Sequence, residues 1–155
     1  MTNLETTLTD SVRRQTGQIL QGRLVDLLAL SLNVKQAHWH VTGRTFKQVH
    51  EQLDEINADV RGWSDDVAER AIMLDVPVDG RPQAVATSSV AEFPTGFLTD
   101  DKVVDAVAEQ IVAVVGAARP ELETLDRLDL VTQDLLIGII AGLEKHLWML
   151  RAQRV

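Results

Sequence analysis

Apolar side chains recur along this chain at the three- and four-residue spacing of helices, and nowhere with the sustained alternation of a half-buried strand. Between residues 4 and 38, Val12, Ile19, Leu24, Leu27, Leu28, Leu32 and Val34 stand among Gln, Arg and Asp. They predict a long first helix, with Gly17 and Gly22 as its weak points. Val41-Thr42-Gly43 interrupts the pattern, with Gly43 expected at positive φ and Thr45 as the cap of the next helix. The series Phe46, Val49, Leu53, Ile56, Val60, Val67 and Ile72 then predicts a second helix over 45–74.

From Asp75 to Asp101 the chain holds Pro77, Gly80, Pro82, Pro94 and Gly96. This stretch reads as a long crossover with one short helical turn near 88–92. Its length lets the third helix run parallel to the second. That third helix is expected to begin at a Thr99 cap and run through Val103, Val107, Ile111 and Val114, with Pro120 kinking it or stopping it before Leu125. Asp129 is the expected cap of a fourth, over 130–153, carrying Leu135, Ile139, Leu143, Leu147 and Leu150, with Gly138 and Gly142 four apart. The prediction is an all-α four-helix bundle, one domain over 1–155, with the long crossover between the second and third helices.

Composition narrows the chemistry. Forty-five per cent of the 155 residues are apolar and none is Cys, which excludes disulfides and any thiolate nucleophile or ligand. The longest apolar runs, such as Leu135 to Leu143, are too short to span a bilayer, and MTNLETTLTD lacks the features of a signal peptide, so a cytoplasmic protein is expected. Twenty-three acidic against 15 basic side chains give a formal charge of −8. Such a surface draws cations and repels nucleic-acid backbone.

The stretch KQAHWHVTGRTFKQVHEQLDEINADVRGWSDDVAER, residues 35–70, carries the candidate site. His38, His50, Asp54, Asp65 and Glu69 are imidazole and carboxylate ligands suited to a transition metal. At about 100° per residue, His50, Asp54, Asp65 and Glu69 fall at roughly 0°, 40°, 60° and 100° on one helix face. At about 1.5 Å of rise per residue, Asp54 and Asp65 nevertheless lie roughly 16 Å apart, beyond the reach of one ion. Two antiparallel copies about a two-fold axis would set His50 and Asp54 of one beside Asp65 and Glu69 of the other, with His38 closing each of two equivalent sites. The expectation is a metal site completed only in a homo-oligomer. His40 and His146 lie outside this set and are expected to pack or to sit at the surface.

Over nearly its whole length the sequence resembles the Dps family of mini-ferritins, named as DNA-binding proteins from starved cells. The resemblance rests on KQAHWHVTG (35–43), FKQVHEQLDE (46–55), DDVAER (65–70), DLVTQDLL (129–136) and LEKHLWMLRA (143–152). It implies a ferritin-like bundle assembled as a dodecamer. It further implies that Fe(II) is oxidised to Fe(III) at a di-iron site on the dimer interface, preferably by hydrogen peroxide or otherwise by dioxygen, and stored in the hollow shell. His38, His50 and Asp54 of one subunit would face Asp65 and Glu69 of its mate. Trp39 matches the tryptophan beside the oxidation site, and Asp134 an acidic residue of the three-fold pores, with Asp126 and Asp129 as neighbours. The lysine-rich N-terminal arm with which some members hold DNA has no counterpart here, so compaction of DNA and association with the nucleoid are the alternative reading. A metal-buffering shell that oxidises iron poorly is a third.

Overall fold

In the computed structural model, which describes residues 7–154, the described chain is almost entirely helical. Helix α1 spans Asp10–His40, α2 Phe46–Met73, α4 Asp100–Leu128 and α5 Leu130–Arg151, with one short turn, α3, at Pro82–Val85 in the crossover and a 3-10 turn at Ala152–Arg154 after α5. The expected start of the first helix at residue 4 falls outside the described residues. Among those described, the helix begins after Thr9, whose hydroxyl accepts the Val12 amide at 3.4 Å.

Strands β1 (Val41–Thr42) and β2 (Leu98–Thr99) form a parallel pair with Val41 opposite Leu98. One leads into α2 and the other into α4, so these helices start at the same end of the bundle and run parallel. The long crossover, residues 74–99, makes this possible, as its length implied.

The junction at this end depends on one carboxylate. Asp100 of α4 accepts the Thr45 amide at 2.7 Å and the Thr45 hydroxyl at 2.6 Å, so it caps α2 from another helix. The Thr45 side chain itself makes no capping bond, contrary to expectation, and neither does Thr99, whose hydroxyl turns to Asp101. Gly43 has φ of 132° as expected, and a Cβ there would lie 2.5 Å from the Asp100 carboxyl carbon. A side chain at 43 and the Asp100 cap are mutually exclusive.

Leu20, Leu27, Leu30, Leu53, Ile56, Ile111, Leu125, Leu136, Leu143 and Leu150 fill the centre between the four long helices. Pro120 does not stop α4, which continues to Leu128. It lies on the exposed face, as does Gly116 one turn earlier, so the carbonyl that loses its amide partner can turn to water, while Leu125 anchors the last turn in the core. The short turn of the crossover is at 82–85 rather than 88–92. Pro82 opens it, where a missing amide costs nothing, whereas Ser88 and Ser89 are drawn away to bond the buried Asp26. Gly17, far from being a weak point, admits Val76 against α1, since a Cβ there would stand 2.5 Å from the Val76 side chain. No described helix is long and apolar enough to cross a membrane.

Candidate metal centre

Two antiparallel helices build the centre from adjacent turns. The last turns of α1 deliver Lys35 and His38, and the first turns of α2 deliver His50 and Asp54. One ligand atom each of His38, His50 and Asp54 lies within 4.8 Å of the others. His38 is buried and Asp54 exposed, so the cluster opens toward solvent on its carboxylate side.

The two imidazoles stack with centroids 3.6 Å apart and planes at 23°. Each is tied to the backbone of the other: His38 Nδ1 lies 3.0 Å from the His50 carbonyl, and His50 Nδ1 lies 2.9 Å from the His38 carbonyl. A carbonyl can only accept, so each Nδ1 carries a proton, and in the neutral imidazole each Nε2 keeps its lone pair. Asp54 Oδ1 is 3.4 Å from His38 Nδ1, a longer contact than the carbonyl makes. The backbone therefore fixes the tautomer and leaves two ring nitrogens prepared as donors to a cation.

Asp54 Oδ1 also accepts from Lys35 Nζ at 2.6 Å. This bond holds the Asp54 carboxyl below the usual carboxylate range against the opposing effect of burial, with help from the Lys35 charge. Asp54 is thus anionic and ready to ligate near neutral pH. Lys35 escaped the sequence reading, although its place one turn before His38 puts both on one face of α1.

Asp65 and Glu69 lie on later turns of α2, both exposed, and the single chain does not bring them to the cluster. Asp65 borders a groove with Leu24, Leu28, Arg61, Ala68 and Gly80. Trp39 is exposed beside His38, its ring centroid 6.0 Å from Lys35 Nζ. Asp134, in the first turns of α5, and Asp126 are exposed. Asp129 is not available in the same way: it is buried, caps α5 as expected by accepting the Val131 and Thr132 amides, and takes Arg70 Nη2 at 2.6 Å. His40 bonds the Gln36 carbonyl, and His146 is buried against Asp59 at 2.8 Å, so both take packing roles.

Residues 17–155 match the family model described as a ferritin-like domain. The chain is 35% identical over 154 residues to the "DNA protection during starvation protein" of Mycolicibacterium smegmatis, covering 94% of this chain and 80% of that protein. It is 34% identical over 140 residues to "DNA protection during starvation protein 2" of Deinococcus radiodurans, covering 90% of this chain but only 58% of that longer protein. The structure of Dps from Microbacterium arborescens in the high iron form superposes with a TM-score of 0.91 at 32% identity, covering 96% of this chain and 98% of that one.

Proposed function

This chain belongs to the Dps family of the ferritin-like superfamily, and from that premise we propose that it oxidises ferrous iron and stores the ferric product inside a homo-oligomeric shell, removing two reactants of oxidative damage. The observation that carries the reading is the pair of Nε2 lone pairs held beside Asp54 by reciprocal backbone bonds. Mixed imidazole and carboxylate donors suit iron, which is here the substrate.

The cluster supplies three donors on one open side, which is half of a site. Asp65 and Glu69 present two carboxylates from the same helix and join no metal-binding cluster among the described residues. A two-fold copy of α2 brings the two sets together, giving a di-iron site at a dimer interface. Exposed apolar side chains, among them Leu32, Ile72, Leu130, Val131 and Trp148, are consistent with burial in an assembly, for which we take the dodecamer. In that assembly Asp134 stands at a three-fold axis, where one exposed carboxylate becomes a ring of three that concentrates ferrous ions.

Hydrogen peroxide accepts one electron from each of two ferrous ions; its O–O bond breaks and, with two protons, both oxygens leave as water. Holding two irons together avoids releasing a one-electron product. His38 and His50 bind without changing tautomer, Asp54 with Asp65 and Glu69 offsets the charge that grows on oxidation, and Trp39 stands beside the site to intercept any stray radical.

Anaerobic ferrous loading followed by peroxide tests the reading. Immediate ferric mineral formation is expected, lost when Asp65 and Glu69 are both changed to Ala; unaltered ferrous iron in the unmodified protein would indicate a buffering shell instead. The names of the relatives favour a second reading, DNA protection by direct binding. A gel-shift series across salt decides it, since strong retardation at physiological salt, weakening steeply as salt rises, belongs to phosphate contacts and is not expected of a chain at −8.

A further inference from the structure

Asp26 of α1 is buried beneath the crossover and holds its middle. Its Oδ1 accepts the Ser88 hydroxyl at 2.7 Å and the Ser89 amide and hydroxyl each at 3.3 Å, while its Oδ2 meets Arg23 Nη2 at 3.0 Å. The Val90 amide bonds the Ser88 hydroxyl in turn. On either side the crossover is held by neutral amides, Gln21 at Asp79 and both Asn33 and Gln110 at the Ala91 carbonyl. Those ties do not titrate.

A second carboxylate reaches the same guanidinium. Glu121 Oε2 of α4 stands 3.2 Å from Arg23 Nε, yet that oxygen, Nε and Nη1 are all buried with no hydrogen-bond partner among the described residues. With both acids ionised, two negative charges share one positive charge in a largely enclosed pocket. Asp26 is surrounded by donors and Glu121 is not, so a proton taken up here goes to Glu121. Burial pushes the Glu121 carboxyl above its ordinary value, Arg23 opposes this and the Asp26 charge adds to it. Those two residues of α1 are the charged groups acting on Glu121; the crossover faces the pocket with two hydroxyls and an amide.

We propose that Glu121 and Asp26 compete for Arg23 and so form a proton-sensitive latch on the crossover. With Glu121 protonated, the guanidinium belongs to Asp26, the pocket is neutral and Ser88 and Ser89 stay seated. With Glu121 ionised, Asp26 shares its cation, and a buried carboxylate short of counter-charge gains by admitting water. The crossover then opens more often at Ser88 and Ser89. This segment also walls a groove with Leu28, Leu32 and Arg61, and Arg61 falls at roughly 20° from His50 around α2, on the face of the candidate ligands. The latch therefore makes the shape of that face respond to pH, and no part of it depends on iron.

Amide hydrogen exchange of the assembled protein tests the latch, followed by mass spectrometry on peptides covering residues 86–92 and corrected for the intrinsic chemical rate at each pH. The Ser89 and Val90 amides report the seat directly. Their opening is expected to increase from about pH 4.3, the ordinary value for a glutamate, up to the raised value of Glu121, by no more than about tenfold per pH unit, the limit for one proton. Glu121→Gln is expected to stay protected and flat across the same range. Asp26→Asn leaves Glu121 as the sole anion beside Arg23, so its opening, higher at the start, is expected not to increase with pH. Opening in the parent that is independent of pH, or a parent-like pH response in Glu121→Gln, would overturn the latch. A parent-like response in Asp26→Asn would show that burial of Glu121 acts alone and would overturn the competition for Arg23.

Discussion

His38 and His50 each donate Nδ1–H to the backbone carbonyl of the other, at 3.0 and 2.9 Å, so two side chains twelve residues apart in sequence, on two helices, lock one another's ring orientation. Orientation fixed before the ion arrives lowers the cost of binding it. In the metal-free protein, nitrogen NMR of the imidazoles is expected to show protonated Nδ1 and bare Nε2 on both. His50→Phe keeps a flat ring but loses both nitrogens, and is expected to weaken Co(II) binding by at least about 10- to 100-fold. Retained affinity would remove His50 from the site.

Arg70 and Asp129 form a second cross-helix tie, joining the end of α2, next to Glu69, to the α4–α5 corner. Burial alone would raise the Asp129 carboxyl, but the Thr132 hydroxyl at 2.5 Å and the Arg70 guanidinium reverse this and hold it low. Its contribution to stability is present above the unfolded-state value of about 3.9 and is lost as pH falls through the lower folded value. Asp129→Ala removes the cap of α5 and leaves the partly buried Arg70 without a counter-charge. The expected loss is about 3–5 kcal/mol, seen as a lowered thermal midpoint at pH 7 that narrows toward the parent as the pH is taken well below 4.

Glu121 has the opposite sign. Burial and the nearby Asp26 push its carboxyl up, with Arg23 opposing. Arg23 Nε is 3.2 Å from Glu121 Oε2, yet the pair is too poorly aligned to make a hydrogen bond. A carboxyl raised in the fold destabilises it when ionised, and that penalty fades as pH falls from the folded value toward the unfolded one. Glu121→Gln is expected to melt higher than the parent at pH 7, with the difference shrinking as pH falls toward the unfolded-state carboxylate value of about 4.3. A lower melting point at pH 7 would mean that the Arg23 contact outweighs burial.

Two glycines in helices are expected to respond in opposite directions. At Gly142 an added Cβ collides with the Trp63 ring, so Gly142→Ala is expected to cost about 1–3 kcal/mol in a denaturant or thermal melt. At Gly22 nothing lies within 4 Å, and Gly22→Ala is expected to gain about 0.5–1 kcal/mol by stiffening the unfolded chain.

The long helices, the crossover, Gly43 and the Asp129 cap were legible in the sequence because each follows from periodicity or from the conformational limits of one residue. The features that were not legible depend on contacts across the chain. Asp100 caps α2 from 55 positions away, displacing the cap that Thr45 suggested. Pro120 reads as a helix breaker until Leu125 is seen anchored in the core and the proline itself is seen to face solvent. Likewise, His38, His50 and Asp54 could be grouped by spacing, whereas Lys35 entered the centre only through a bond spanning 19 positions between helices. That the five candidate ligands fall into two groups was visible in the sequence, since helical rise alone separates Asp54 from Asp65.

Subunit complementation tests that division, on which the proposed chemistry depends, most directly. Neither His38→Ala/His50→Ala nor Asp65→Ala/Glu69→Ala alone can build a complete site in its own assembly. Dissociated, mixed in equal amounts and reassembled, a dimer of one chain of each kind regains one intact site of its two. Random pairing then predicts recovery of about one quarter of the parent's rapid ferrous oxidation with peroxide. Recovery near that level is the predicted result; no recovery from mixed assemblies of normal size, or full activity in either variant alone, would contradict a site shared between chains.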